Sequence, residues 1–246
     1  IEDYDLSSLR TGVMAGAPCP LKLMHQVIDK LNMSEITIMY GQTETSPVNH
    51  MTDIDAPAEK RCGTVGRVGP YQEIKIIDER GRAVPLGESG ELCCRGYSVM
   101  QGYWNDEERT RETIDPSGWL HSGDLAEMDA EGYVQIVGRI KDMIIRGGEN
   151  VYPREVEEFL YTHSDIVEAQ VFGIPDERYG EIVCAWVQQR EGATLTEEGV
   201  KDYCADQITH FKVPSLVRVV DEFPMTVTGK IQKFKMRDAT VEELAT

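Results

Sequence analysis

No run of apolar residues in the 246-residue sequence approaches the length needed to cross a bilayer, which excludes a membrane-spanning helix from these residues. A secretory signal pattern is also missing; the sequence starts at Ile1, so any upstream targeting segment lies outside it. Cysteine is sparse. Cys19, Cys62, Cys93, Cys94, Cys184 and Cys204 show no Cys-x-x-Cys pairing and no metal-like spacing with the five histidines, which argues against a disulfide framework and fits a reducing compartment, the cytoplasm or an organelle matrix. Positive charge is short as well. With 25 basic against 43 acidic residues the formal net charge is −18, which speaks against a general nucleic-acid or anionic-membrane surface.

What is present suits a soluble globular chain. A hydrophobic content of 41% over this length supports one large or two small domains with real cores. In so acidic a protein any anionic ligand must be met locally. Arg139, Lys141, Arg146 and Arg154 form one local supply of cations, and Lys230, Lys233, Lys235 and Arg237 another; runs like the second also occur as plain solvated surface.

The stretch from Gly138 to Glu157 joins two differently built halves. After Arg139, Lys141 and Asp142, the run Met143-Ile144-Ile145 is too short for a helix and reads as a buried strand. Gly147 and Gly148 permit close backbone approach or positive φ. Pro153 suits the first turn of a helix whose apolar stripe is Val156, Phe159 and Leu160. On these residues alone, a linker, a hairpin turn and a surface helix account for the stretch.

Upstream, Leu21, Met24, Val27, Ile28 and Leu31 recur at helical spacing after Pro20, predicting an amphipathic helix that leads into a strand at Thr37-Ile38-Met39. That strand ends in Tyr40-Gly41-Gln42-Thr43-Glu44-Thr45. Open α/β sheets place ligands beyond the carboxyl ends of their strands, so Tyr40 offers a stacking surface, Thr43 a hydroxyl for a phosphate oxygen and Glu44 a hard oxygen for Mg²⁺. A strand-to-loop turn with an incidental acid reads the same residues equally well.

From about residue 63 to 140 short β-like segments are punctuated by glycine: Glu73 to Ile77, Gly90 to Gly96, and Tyr133 to Val137. The turn signals between them predict hairpins and a small barrel-like subdomain. Within it, Asp124 follows Gly118 and Gly123 and is expected in a glycine-rich turn, where its carboxylate either accepts a ribose diol or caps nearby backbone N–H groups. His121 reads as structural, because no serine or cysteine nucleophile motif accompanies it.

The last hundred residues predict a compact α+β domain. Val167 to Phe172, Ile182 to Gln188 and Leu216 to Val220 are strand candidates. Thr194-Leu195-Thr196-Glu197 resembles a capping box opening a helix with Val200, Tyr203, Cys204 and Ile208 on one face. Lys230 follows Gly229 in a Pro/Thr loop that is not a P-loop, since the Gly-x-x-x-x-Gly-Lys-Ser/Thr spacing is missing. It is either a mobile charge for a phosphate or carboxylate or an ordinary exposed lysine.

Taken together, Tyr40 to Glu44, Gly118 to Ala126, Gly138 to Asp142 with Gly147-Gly148, and Pro224 to Lys230, joined by Ala15 to Pro18 and Gly90 to Trp104, resemble in order and interval the adenylate-forming (AMP-binding) acyl-CoA synthetase family. The resemblance covers essentially the whole chain. It implies an α/β and α+β fold: residues 1–140 as the end of the large nucleotide- and acyl-binding domain, an α/β piece with its small barrel-like subdomain, and 141–246 as a mobile C-terminal lid. It implies a ligase using ATP, Mg²⁺ and CoA, in which a carboxylic acid and ATP give an acyl-adenylate and pyrophosphate and the CoA thiol then displaces AMP.

Matched motif to motif, the resemblance gives Glu44 the Mg²⁺ and Thr43 the phosphate. Tyr40 with Gly16, Ala17 and Pro18 would sandwich adenine, with Gly41 and Gln42 in the same nucleotide-binding motif. Asp124 and Arg139 would hold the ribose, and Lys230 would bridge acyl carboxylate and phosphate. Lys141 corresponds to the hinge about which the lid swings, and Gly147, Gly148 and Asn150 to the CoA pantetheine passage.

The family's Ser/Thr/Gly-rich phosphate loop and its acyl-pocket stretch are missing from the sequence. The resemblance therefore implies the C-terminal portion of a longer enzyme, inactive in adenylation by itself. Arg146 to Pro153 and His210 to Pro214 look like the fatty-acyl and medium-chain ligases. A medium-chain fatty acid is the first substrate, with aryl and dicarboxylic acids, transfer to a carrier-protein thiol, and a non-catalytic nucleotide- and CoA-binding module as alternatives; a homo-oligomer stays open.

Overall fold

The computed structural model describes residues 4–16, 19–227 and 229–244. They form two compact units, divided between Val137 and Gly138.

The first unit starts with a parallel β–α–β piece. β1 (Thr11–Met14) and β2 (Glu35–Tyr40) lie side by side in parallel, joined through α1 (Leu21–Leu31), as a parallel connection requires. Met24 and Val27 are the buried residues of α1, and the helix stops at Asn32 in the left-handed region, a conformation asparagine tolerates at a C-terminus. β3 (His50–Met51) adds antiparallel to β2, and after α2 (Ala58–Gly63) β4 (Arg67–Val68) completes the sheet in the order β1-β2-β3-β4. A second, antiparallel sheet follows from β5 (Gln72–Ile77), β6 (Gly90–Gly96), then α3 (Glu107–Thr113), β7 (Leu120–Met128) and β8 (Val134–Arg139), in the order β5-β6-β7-β8.

These two sheets share one core. Met24, Ile36 and Val65 from the first piece pack with Ile76, Leu92, Ala126 and Val134 from the second. Backbone bonds tie them as well, Val65 N to Val134 O at 2.8 Å and Val134 N to Gly66 O at 2.9 Å. Gly66 is required there: its φ is +85° and an added Cβ would lie 2.0 Å from the Met51 carbonyl, a contact no side chain accommodates.

The second unit is a five-stranded sheet flanked by helices. The predicted Met143 to Ile145 strand is β9 (Ile144–Arg146), paired through the Gly147-Gly148 turn with β10 (Glu149–Val151). α4 (Pro153–Leu160) has proline at its first turn and buries Val156 and Leu160. β11 (Ile166–Asp176) and β12 (Gly180–Gln189) form a long hairpin, α5 (Glu197–Cys204) follows, and β13 (Leu216–Val219) lies parallel to β12. The chain closes with α6 (Lys233–Leu244).

Strand alternation divides this unit's core in two. Ala169, Val171, Val183, Ala185 and Val187 belong to one cluster with α4 and α5 residues, while Phe172, Ile174 and Cys184 belong to another with Phe223 and Met236, as the two-residue period of a strand dictates. The N-cap of α5 is Thr196, whose Oγ1 accepts from Gly199 N at 3.1 Å, not Thr194 as the sequence suggested. The helix also ends before Ile208, which packs on the same core from beyond it.

Candidate functional site

The Tyr40 to Thr45 motif sits where β2 runs out, held by one close backbone approach and a reciprocal side-chain cap. Gly41 lies against the chain after the turn, where an added Cβ would come 2.1 Å from the Pro47 carbonyl oxygen. Thr43, Glu44 and Thr45 make a single 3-10 turn; the buried Thr45 hydroxyl accepts from Gln42 N at 3.0 Å, and the Gln42 side chain accepts from Thr45 N in return. This reciprocal cap fixes Gln42 as a framework residue, while Thr43 is exposed and Glu44 half-buried.

Asp124 is not in a turn. It lies inside β7, at a bulge: between the Glu91–Leu125 and Cys93–His121 pairs, β6 advances two residues while β7 uses four. Gly123 in the bulge has φ +70°, the conformation that glycine supplies cheaply. The glycine signals in the sequence were real but marked a bulge, which turns Asp124 inward until it is 5% exposed. There its Oδ2 accepts from Tyr40 Oη at 2.6 Å, and Ser122 Oγ accepts from Asp124 N at 3.0 Å. Burial, and after it the neighbouring Asp124 carboxylate, push the Tyr40 phenol well above its ordinary range, so Tyr40 stays the donor. Two motifs 84 positions apart are thereby joined.

A third contact involves a residue that sequence reasoning quoted within a motif but gave no role. Tyr103 Oη donates to Glu44 Oε1 at 2.7 Å, and the Arg109 guanidinium lies over its ring at 4.1 Å. Burial, followed by the bond to Glu44, raises the Tyr103 phenol. The other Glu44 oxygen has no partner among the described residues. That donor set suits a hard divalent cation, one carboxylate oxygen oriented by a phenol and one open.

Of the residues that the resemblance assigns to adenine, Gly16 is exposed with φ +87°, and Ala17 and Pro18 lie outside the described residues. Behind Tyr40, His50 is fully buried, its Nδ1 2.9 Å from Asn49 Oδ1 and its ring edge-on to Tyr40 at 5.7 Å. Desolvation lowers its pKa to about 4, so it is neutral framework.

The remaining sequence-selected residues belong to the second unit. Arg139 ends β8, and Lys141 occupies the 3-10 turn Ile140–Asp142; both are exposed. Gly147 and Gly148 form the two-residue hairpin turn with φ +61° and +92°, as the tight primed turns demand, so the turn alone accounts for both glycines. Asn150 is exposed on β10. Arg146 is not a free cation for an anionic ligand: its Nη1 donates to the Phe211 carbonyl at 2.7 Å and reaches those of His210 and Val213 at 3.4 and 3.3 Å. Arg154 has Glu158 for an ion-pair partner at 3.7 Å.

Lys230 stands on a loop closed by backbone bonds. Thr226 N donates to Lys230 O at 2.8 Å, Gln232 N to Pro224 O at 2.8 Å, and Lys230 N to Thr226 Oγ1 at 3.0 Å. Its side chain is exposed, and Nζ has no partner among the described residues. Lys233, by contrast, is spent internally: Nζ donates to Glu157 Oε1 at 2.5 Å and to Val171 O at 2.9 Å.

A tyrosine and an aspartate locked together at the carboxyl end of β2, a nearby oriented glutamate, and a separate α+β unit presenting an exposed lysine on a closed loop define an adenylate-forming architecture. The chain belongs to the AMP-binding enzyme family, whose pattern matches residues 1–104, and whose C-terminal domain pattern matches residues 155–230. Among curated relatives, the Danio rerio protein named medium-chain acyl-CoA ligase ACSF2, mitochondrial, is 49% identical over 242 residues; these are 98% of this chain and 40% of that protein. The chain thus spans less than half the length of such relatives. Among solved structures, ATP-bound MatB from Rhodopseudomonas palustris superposes with a TM-score of 0.87 at 33% identity, covering 92% of this chain and 44% of that one. The anthranilate CoA ligase AuaEII in complex with anthranoyl-AMP gives 0.86 at 32% identity, covering 96% and 46%. Among the described residues no helix is long and apolar enough to cross a membrane.

Proposed function

We propose that this chain is the C-terminal portion of an AMP-forming acyl-CoA ligase that activates a fatty acid, of medium chain length in the first instance, in the cytoplasm or an organelle matrix. The observation that carries the reading is the Tyr40–Asp124 hydrogen bond at 2.6 Å, because it joins the two motifs to which the resemblance assigns adenine and ribose. Family membership supports the reaction class, and the name of the Danio rerio relative supports the chain length.

On this reading the Tyr40 ring takes one face of adenine and the second Asp124 oxygen, with Arg139, takes the ribose hydroxyls. Thr43 donates to a phosphate oxygen. Glu44, oriented by Tyr103, would hold Mg²⁺, which supplies charge neutralisation at the phosphates. The acid's carboxylate oxygen bonds to the α-phosphorus as pyrophosphate leaves. Lys230 offers a cation to the carboxylate and phosphate oxygens, offsetting their repulsion in the transition state. In the second half-reaction the CoA sulfur, its proton passing to solvent, bonds to the acyl carbon and AMP leaves. Lys141 is assigned the hinge, and Gly147, Gly148 and Asn150 the pantetheine passage.

The test is AMP and pyrophosphate formation from ATP, Mg²⁺, CoA and straight-chain acids of graded length, measured for the longer ligase that carries this sequence, its Lys230→Ala variant, and the 246-residue chain. A maximum at medium chains that vanishes in the variant and in the chain alone is expected. Activity of the chain alone above its own Lys230→Ala control would sink the proposed dependence on further sequence, and inactivity in all three would sink the fatty-acid assignment.

A further inference from the structure

Glu91, Cys93 and His121 lie outside the nucleotide site, and the function proposed above uses none of them. Each offers one ligand atom, and the three atoms lie within 4.8 Å of one another. Sequence spacing shows no metal pattern here, because Glu91 and Cys93 come from β6 and His121 from β7, and only the Cys93–His121 cross-strand pairing brings them together.

The arrangement is more than proximity. His121 Nδ1 is 2.7 Å from Glu91 Oε2 and 3.7 Å from Cys93 Sγ, so a single ring nitrogen faces both a carboxylate and a sulfur. One proton on Nδ1 can satisfy the carboxylate and leaves the sulfur at a loose contact. Two donors held 2.3 and 2.1 Å from a tetrahedral zinc ion stand about 3.6 Å apart, close to the observed sulfur–nitrogen separation. The carboxylate is also aimed: Glu91 Oε1 accepts from Gly123 N at 3.1 Å, which turns Oε2 toward the imidazole, the kind of outer contact that orients metal ligands. The Gly123 N–H is available because of the β7 bulge.

We propose that Glu91, Cys93 and His121 form a binding site for a thiophilic divalent cation of the zinc type. Thiolate, imidazole and carboxylate are the ligand types that zinc takes, and three protein ligands leave one position open for water. Cys93 is fully buried while the side chains of Glu91 and His121 remain partly exposed, so the ion enters from their side and meets the sulfur last. On binding, the Cys93 thiol and the His121 Nδ1 each release to solvent any proton they carry, and the carboxylate–imidazole contact widens to about 3.4 Å. Burial, and then the Glu91 charge, hold the thiol up at about 12; a cation between them stabilises the thiolate and turns that carboxylate from opponent to partner. Lys75 and Asp115 are the other charges that face the sulfur, and they carry opposite signs.

Titration of the 246-residue chain with Co²⁺ as the spectroscopic probe tests this. One equivalent should give sulfur-to-cobalt charge-transfer absorption and the intense visible bands of a tetrahedral site, and Zn²⁺ should displace them. Cys93→Ser should abolish the charge-transfer band and His121→Asn should lose the tetrahedral spectrum, while Cys94→Ser, on the neighbouring position of the same strand, keeps both. Circular dichroism checks that each variant folds. Absence of the band in the parent chain, or its survival in folded Cys93→Ser, overturns the proposal.

Discussion

The two units present their candidate functional side chains in opposite ways. In the first, Tyr40, Asp124 and Glu44 are each held by a partner far along the chain, Tyr40 by Asp124 and Glu44 by Tyr103. In the second, Lys230 is held only by its own loop and its charge is left in solvent. A residue that must recognise a fixed shape benefits from positioning by packing and hydrogen bonds. A residue required in one step and unwanted in the next is better mounted on a closed loop, where nothing else has to break when it leaves. Other cations of the unit sharpen the contrast: Lys233, Arg146 and Lys212 are committed to Glu157, backbone carbonyls and Glu155.

The largest effect should come from removing the post behind that loop. Lys233→Ala leaves Glu157, 8% exposed, without its cation, and breaking such a pair costs about 3 kcal/mol. Urea unfolding of the full chain followed by tryptophan fluorescence should register the loss, and an unchanged midpoint would mean the pair contributes little. Acid should loosen the first unit next. His50 has a folded pKa lowered to about 4 against an ordinary 6.5, so its stabilising contribution is complete above pH 6.5 and is lost as pH falls toward 4. The loss amounts to about 3 kcal/mol, and His50→Gln should flatten that limb of the stability–pH curve.

Matched glycine substitutions compare the two settings directly. Gly41→Ala drives a Cβ to 2.1 Å from the Pro47 carbonyl oxygen and should cost about 3 kcal/mol through forced backbone movement. Gly229→Ala meets open space at φ +81° and should cost only about 1 kcal/mol, the left-handed penalty. Equal losses would erase the distinction between framework and loop. The smallest effect is Lys230→Ala on stability, within about 0.5 kcal/mol by thermal unfolding, since its side chain supports nothing.

What was legible in the sequence follows from the range of the interactions. The Leu21 to Leu31 helix, the Gly90 to Gly96 strand and Pro153 at a helix start were readable because periodicity and caps act within a few residues. The Thr194 reading failed because the capping-box spacing to Glu197 fits Thr194, while Thr196, with Gly199 three residues on, caps through its hydroxyl alone. Asp124 was wrongly placed: glycine marks positive φ without saying whether a turn or a bulge uses it. Tyr103 and the Glu91–Cys93–His121 group were out of reach, because their partners are set by cross-strand register and by loop packing between positions up to 59 apart. The motifs named the candidate residues; pairing across the sheet supplied their second contacts.

Lys233 also sets a leash. It lies only three positions beyond Lys230, and a fully extended chain spans at most about 3.6 Å per residue. However the loop rearranges, the Lys230 backbone cannot stray more than about 11 Å from an anchor bolted to Glu157 and Val171. Any travel longer than that must be carried by the whole C-terminal unit moving as a block, with the lysine as a fixed fitting on its surface.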